Sequence, residues 1–159
     1  MENETVVPNI YEMAKEFKKK YPLTVAWRLK KNSMIVQKFL NPGEKVKYVF
    51  VGQKNEKWYD FTSTCVVALT NQRILIGRKR VVFGYFVDSI TPDMFNDLKV
   101  NSTIIWGRVI IDTINELVIL SNISKKAMPE LKTRVSTYIV EQKKKFPRRN
   151  KDHERHHHH

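Results

Sequence analysis

A chain of 159 residues with 42% hydrophobic content carries apolar material for one core with a small appendage, and too little for two full domains. Its 29 Lys and Arg against 16 Asp and Glu give a formal net charge of +13, which favours anionic partners (lipid, nucleic acid or acidic protein) without choosing among them. The single cysteine, Cys65, excludes an internal disulfide framework and a multi-thiolate metal site, and no apolar run reaches the roughly 18 residues that span a bilayer.

The polar start MENETVVPN lacks the charged-then-apolar design of a signal peptide, so the expected location is cytoplasmic, with peripheral contact at a membrane left open. Ile10, Met13, Ala14, Phe17 and Tyr21 recur at helical spacing and predict an amphipathic helix that Pro22 interrupts. A second apolar series, Val25, Leu29, Ile35, Val36, Phe39 and Leu40, predicts a second helix ending at the NPGE break of residues 41–44. Its cations Arg28, Lys30, Lys31 and Lys38 could lie on a membrane, but an apolar stripe packed on the chain's own domain is the simpler reading.

After Gly43 the period changes to two. EKVKYVFVG sets Val46, Tyr48 and Phe50 on one face, and FTSTCVVALT sets Phe61, Ser63, Cys65, Val67 and Leu69 on one face. Asn71-Gln72 supply a tight turn in which Asn tolerates positive φ, so residues 61–70 and 72–78 are expected to form a hairpin. VVFGYFVDSIT, FNDLKVN, IIWGRVIID and ELVILS continue as four more strands, seven in all, and short connections demand antiparallel pairing. A last helix, capped by Ser124, places Met128, Leu131, Val135, Tyr138, Ile139 and Gln142 on one face, with Pro129 blurring its start. KKKFPRRNKD then reads as a solvated basic tail and the closing histidines as an appended tag.

The segments MAKEFKKKYP, LNPGEKVKYV, VVALTNQRILI and LVILSNISKKA resemble the successive signature segments of the YokE-like bacterial PH domains, over residues 8 to 142, with LNPGE and LTNQR the most specific. The resemblance implies a mainly β, PH-like, seven-stranded antiparallel barrel or sandwich capped by a C-terminal helix. It divides the chain into an N-terminal helical extension (1–43), a PH-like domain (44–146) and a basic tail with tag (147–159). It also implies a binding module without an assigned ligand.

In a barrel of this kind the loops after strands 1, 3 and 6 gather at the open end, which here brings QKNEKWYD, GRKRVV and DTINE together. Lys54, Lys57, Trp58 and Tyr59 combine cations with interfacial aromatics, and Arg78, Lys79 and Arg80 offer phosphate contacts. These seven form the candidate anion or membrane contact. Strand 2 lacks the basic residues of the lipid-binding PH pattern and the third loop brings Asp112 and Glu116, so phosphoinositide specificity is not expected.

Catalysis is not expected either. Cys65 falls in phase with core residues, His153 stands alone in the tail, and Asp93 with Asp97, like Asp112 with Glu116, falls near turns where carboxylates cap amides. No cofactor or metal motif is present. Nucleic acid is disfavoured, because neither a helix-turn-helix nor a strand of stacking aromatics can be found. An anionic lipid surface and a protein partner both stay open, the latter including self-assembly into a homo-oligomer through a strand edge or the N-terminal helices.

Overall fold

Asn9 opens the first helix in the computed structural model, which describes residues 9–54 and 63–145; its side-chain oxygen accepts from the Glu12 amide at 3.1 Å. Helix α1 (Ile10–Lys20) carries Glu12 in its first turn and three lysines in its last, each sign at the favourable end of the helix dipole. After Pro22 the chain turns through Arg28, held left-handed at φ 52°, into α2 (Leu29–Phe39).

Seven strands follow: β1 (Val46–Gln53), β2 (Thr64–Thr70), β3 (Ile74–Lys79), β4 (Tyr85–Ile90), β5 (Phe95–Ser102), β6 (Trp106–Thr113) and β7 (Leu117–Ser124). A 3-10 turn at Lys125–Ala127, capped by Ser124, leads into α3 (Met128–Lys145), so the Ser124 cap and the displaced helix start are both observed. All pairings are antiparallel, in the order β4-β3-β2-β1-β7-β6-β5. This is the expected PH-like curled sheet with its C-terminal helix and two N-terminal helices.

Strand β2 is buried along its whole length, which strict alternation does not predict. Two glycines explain it. A Cβ on Gly52, opposite Cys65, would meet Leu120 and Ile123 of β7, whereas one on Gly77, opposite Val66, would meet Val36 of α2. The Cys65 side thus faces the barrel interior and the Val66 side lies under α2. Ile10, Ala14, Phe17 and Val36 belong to the same continuous core as the strand residues.

Strands β1 and β7 meet at one residue pair, Gln53 and Ser121, and then diverge. The chain between α1 and α2 laces this seam: the Val25 amide donates to the Asn122 carbonyl (3.0 Å), Thr24 Oγ1 accepts from the Ser124 amide (3.0 Å), and Thr64 Oγ1 accepts from the Trp27 amide (3.1 Å). Lower on the seam, Glu130 of α3 accepts from Lys20 and the Tyr21 hydroxyl (2.8 Å) at one oxygen, and from the Tyr48 hydroxyl (2.6 Å) at the other. One carboxylate thereby ties α1, β1 and α3 together. Burial pushes the Glu130 carboxyl up, but Lys20 and the two tyrosine hydroxyls outweigh it and hold it below the usual carboxylate range.

The end of the barrel at the β2–β3 turn is closed by residues of LNPGE and LTNQR. Glu44, fully buried, accepts from the Asn41 amide (2.9 Å), the Thr70 hydroxyl (2.5 Å) and the Arg73 guanidinium (3.0 and 3.1 Å). Arg73 also donates to the Phe39 carbonyl at 2.6 Å and to the Ser89 hydroxyl at 3.4 Å. Asn71 pairs with Lys45 through both its backbone amide and its side-chain oxygen. The expected hairpin is present, but Asn71 is not at positive φ; that conformation falls on Asn122 at φ 54°, where β7 bends away from β1.

The strand expected over VVFGYFVDSIT begins only at Tyr85. The Arg80 amide donates to the Gly84 carbonyl (3.0 Å), Gly84 turns at φ 75°, and Val81, Val82 and Phe83 form the tip of the β3–β4 hairpin.

Candidate functional site at the open end of the barrel

Lys54 follows the last residue of β1, and its amide donates to the Ser63 carbonyl (3.2 Å), closing the neck of the β1–β2 loop. Its ammonium sits 4.2 Å from the centre of the Phe86 ring and 3.7 Å from the Glu116 carboxylate. Phe86 is the register partner of Arg78 on the β3–β4 hairpin, and Glu116 belongs to the β6–β7 turn. Lys54 therefore stands where the three loops converge, with its charge engaged by an aromatic face and a carboxylate.

Of the other predicted cations, Arg78, Lys79 and Arg80 lie together on the β3–β4 hairpin. The Lys79 amide donates to Asn32 Oδ1 (2.8 Å), and Arg80 Nε donates to the Tyr85 carbonyl (3.3 Å). Lys57, Trp58 and Tyr59 lie outside the described residues.

Sequence reasoning missed the apolar half of this end. Val81, Val82 and Phe83 are 53%, 75% and 84% exposed, and Tyr85 is 52% exposed. Phe83 at the apex of a hairpin, three residues after Arg80, has no core to pack against. The signal was available: VVF is three apolar residues in a row, which breaks the alternation of a half-buried strand, and the next residue is glycine.

Trp27 was missed as well. The buried Asn32 side chain donates to the Trp27 carbonyl (2.9 Å) while accepting from Lys79, which fixes the start of α2 beside the end of β3. Trp27 is 38% exposed and the Arg28 guanidinium lies 5.0 Å from its ring centre. An aromatic-cation pair immediately before α2 thus stands next to the basic hairpin.

Cys65 lies beneath this end and is fully buried, its thiol donating to the Ser63 carbonyl at 3.4 Å. Burial pushes the thiol up to about 11, against the opposing pull of Arg78 and Lys54, so it stays protonated at neutral pH. Among the described residues no three His, Cys, Asp or Glu side chains are grouped to hold a metal, and no helix is long and apolar enough to cross a membrane.

A search of curated proteins returned no match. Among solved structures, the chain is similar to a pleckstrin homology domain from Shewanella amazonensis SB2B, at 12% identity and a TM-score of 0.42, covering 72% of this chain and 87% of that one. A family model described as Bacterial PH domain matches residues 40–137. The match begins at the leucine of LNPGE and ends within α3, so it takes in all seven strands and both halves of the Glu44–Arg73 clamp. The chain belongs to the bacterial PH domain family.

Proposed function

We propose that this protein is a non-enzymatic binding module whose open end docks peripherally on an anionic membrane surface. The observation that carries the reading is the pairing, on one hairpin, of Arg78, Lys79 and Arg80 with the exposed Val81, Val82 and Phe83. Each side chain alone is ordinary at a protein surface. Their arrangement is not: apolar residues at the apex enter the acyl boundary while cations one turn back meet the headgroups, at about 1 kcal/mol for each cation close to the surface. Trp27 with Arg28 supplies a second interfacial aromatic beside the hairpin.

Sedimentation of the full chain with anionic and with neutral vesicles tests this. Wild type is expected to sediment with anionic vesicles only, Phe83→Ser to lose most of that binding, and reversal of residues 78–80 to Glu to lose nearly all of it. Because every variant keeps the basic tail, a difference between them cannot come from the tail. Equal sedimentation of all three would refute a defined contact at the hairpin.

A protein partner is the second reading, favoured by the strand edges: β4 and β5 end the sheet and do not pair with each other. A further strand could add to either edge. Self-association that persists in Phe83→Ser, without vesicle binding in wild type, would select it.

A further inference from the structure

Away from the hairpin, α1, the first half of β1 and the start of α3 enclose an open cleft of about 550 Å³. Its size lies within the range of roughly 300–1,000 Å³ typical of small-molecule sites. The cleft opens beside the stretch of β1 that does not pair with β7. Phe17, Tyr48 and Val49 give it an apolar wall, and Lys19, Lys47 and Arg134 reach it from three different elements.

Those three cations differ from the fourth there. Lys20 is spent on Glu130, whose two oxygens are also taken by the hydroxyls of Tyr21 and Tyr48. Lys19, Lys47 and Arg134 have no ion-pair or hydrogen-bond partner among the described residues. Arg134 lies over the Tyr48 ring, 5.1 Å from its centre, which orients the guanidinium while leaving its N–H edge free for paired oxygens. Counting Lys19, Lys20, Lys47 and Arg134 against Glu16 and Glu130, the lining carries a surplus of two positive charges.

We infer that this cleft binds a phosphate monoester carried on an apolar or aromatic body. A dianionic head matches the charge surplus and the bidentate reach of Arg134, and the body lies along Phe17, Tyr48 and Val49. The site is separate from the proposed membrane contact and does not depend on it.

The test titrates the full chain with naphthyl phosphate, followed through backbone amide NMR, alongside naphthol and inorganic phosphate. Saturable shifts centred on residues 47–49 and 130–134 are expected, with naphthol and inorganic phosphate each binding about tenfold or more weaker, since each supplies half of the recognition. Arg134→Gln and Lys47→Gln, both at exposed positions, should each weaken naphthyl phosphate by a similar factor without altering the remaining spectrum. Vesicles containing phosphatidic acid supply the other source of the same head group. Binding to them that survives Phe83→Ser but is lost in Arg134→Gln assigns the site to a lipid head group, and binding of the soluble ester alone assigns it to a free metabolite. Shifts that never saturate, that scatter over the lysine surface, or that are unchanged in both Gln variants would overturn the inference.

Discussion

The two ends of the barrel use the same residue types in opposite ways. At the closed end, Glu44, Arg73, Thr70 and Asn41 satisfy one another in a buried network, and Glu130 gathers Lys20, Tyr21 and Tyr48 below the seam. At the open end, Arg78, Lys79 and Arg80 stand beside apolar residues that the core does not use. Charge turned inward with partners holds a fold together; charge turned outward beside exposed apolar side chains is available for contact. LNPGE and LTNQR, on which the sequence resemblance rests most, fall on the inward kind, where Glu44 and Arg73 serve the fold.

That contrast can be broken by substitution, and the largest effect belongs to the core. Cys65→Asp places a carboxylate in a fully buried position where desolvation outweighs the pull of Arg78 and Lys54, and should cost on the order of 5 kcal/mol. Urea denaturation reads this directly. A stability within 1 kcal/mol of wild type, on the order of a surface substitution, would mean that Cys65 does not face the core.

Next comes the clamp. Arg73→Ala leaves the Glu44 carboxylate buried and unpaired, and should cost about 3–5 kcal/mol, whereas replacing both by apolar residues of similar size should cost much less. If the double variant is as unstable as the single one, the clamp is not limited by the orphaned charge.

Tyr48→Phe removes one charge-assisted hydrogen bond to Glu130 and should cost about 1.5–2 kcal/mol. The same carboxylates predict an acid limb. Burial raises the Glu44 carboxyl, but Arg73, the Asn41 amide and Thr70 outweigh it, so Glu44 like Glu130 lies below the usual carboxylate range in the folded state. A group depressed on folding contributes its full stability above the unfolded value, near about 4.3, and loses it as pH falls through the lower folded value. Melting temperature should therefore drop across the acid side of about pH 4, and Glu130→Gln should flatten that limb. An unchanged slope would remove Glu130 from the account.

Smallest of all is Phe83→Ser, expected to alter stability by no more than about 0.5 kcal/mol while removing most vesicle binding. Arg73→Ala, examined at a temperature where it remains folded, should show the reverse: weakened stability with vesicle binding intact.

Much of this was legible in the sequence, and the misses share a cause. Periodicity located all seven strands, both N-terminal helices and the buried stripe of α3, because each buries a face whose spacing the backbone dictates. It did not foresee that β2 is buried on both sides, since that depends on α2 folding back over Gly77 from a distant part of the chain. Within the candidate site, the cations Arg78, Lys79 and Arg80 were found by charge, whereas Val81, Val82 and Phe83 were absorbed into a strand because apolar residues default to burial. Lys54 was read as a rim cation, and its engagement with Phe86 and Glu116 requires two strands that sequence spacing cannot bring together. The cleft beside Tyr48 was invisible for the same reason, being assembled from three elements separated along the whole chain.

The central claim, that the open end and not the closed end meets the membrane, is tested most directly by a single fluorescent reporter. Cys65 is the only cysteine and is buried, so Val82→Cys and Gln72→Cys each create one reactive thiol, at the open and the closed end respectively, with Phe83 left in place. With an environment-sensitive probe at each position, anionic vesicles should shift the emission of the probe at 82 to the blue and expose it to lipid-phase quenchers, while the probe at 72 stays unchanged and neutral vesicles move neither. A silent probe at 82, or an equal response at 72, would contradict the account.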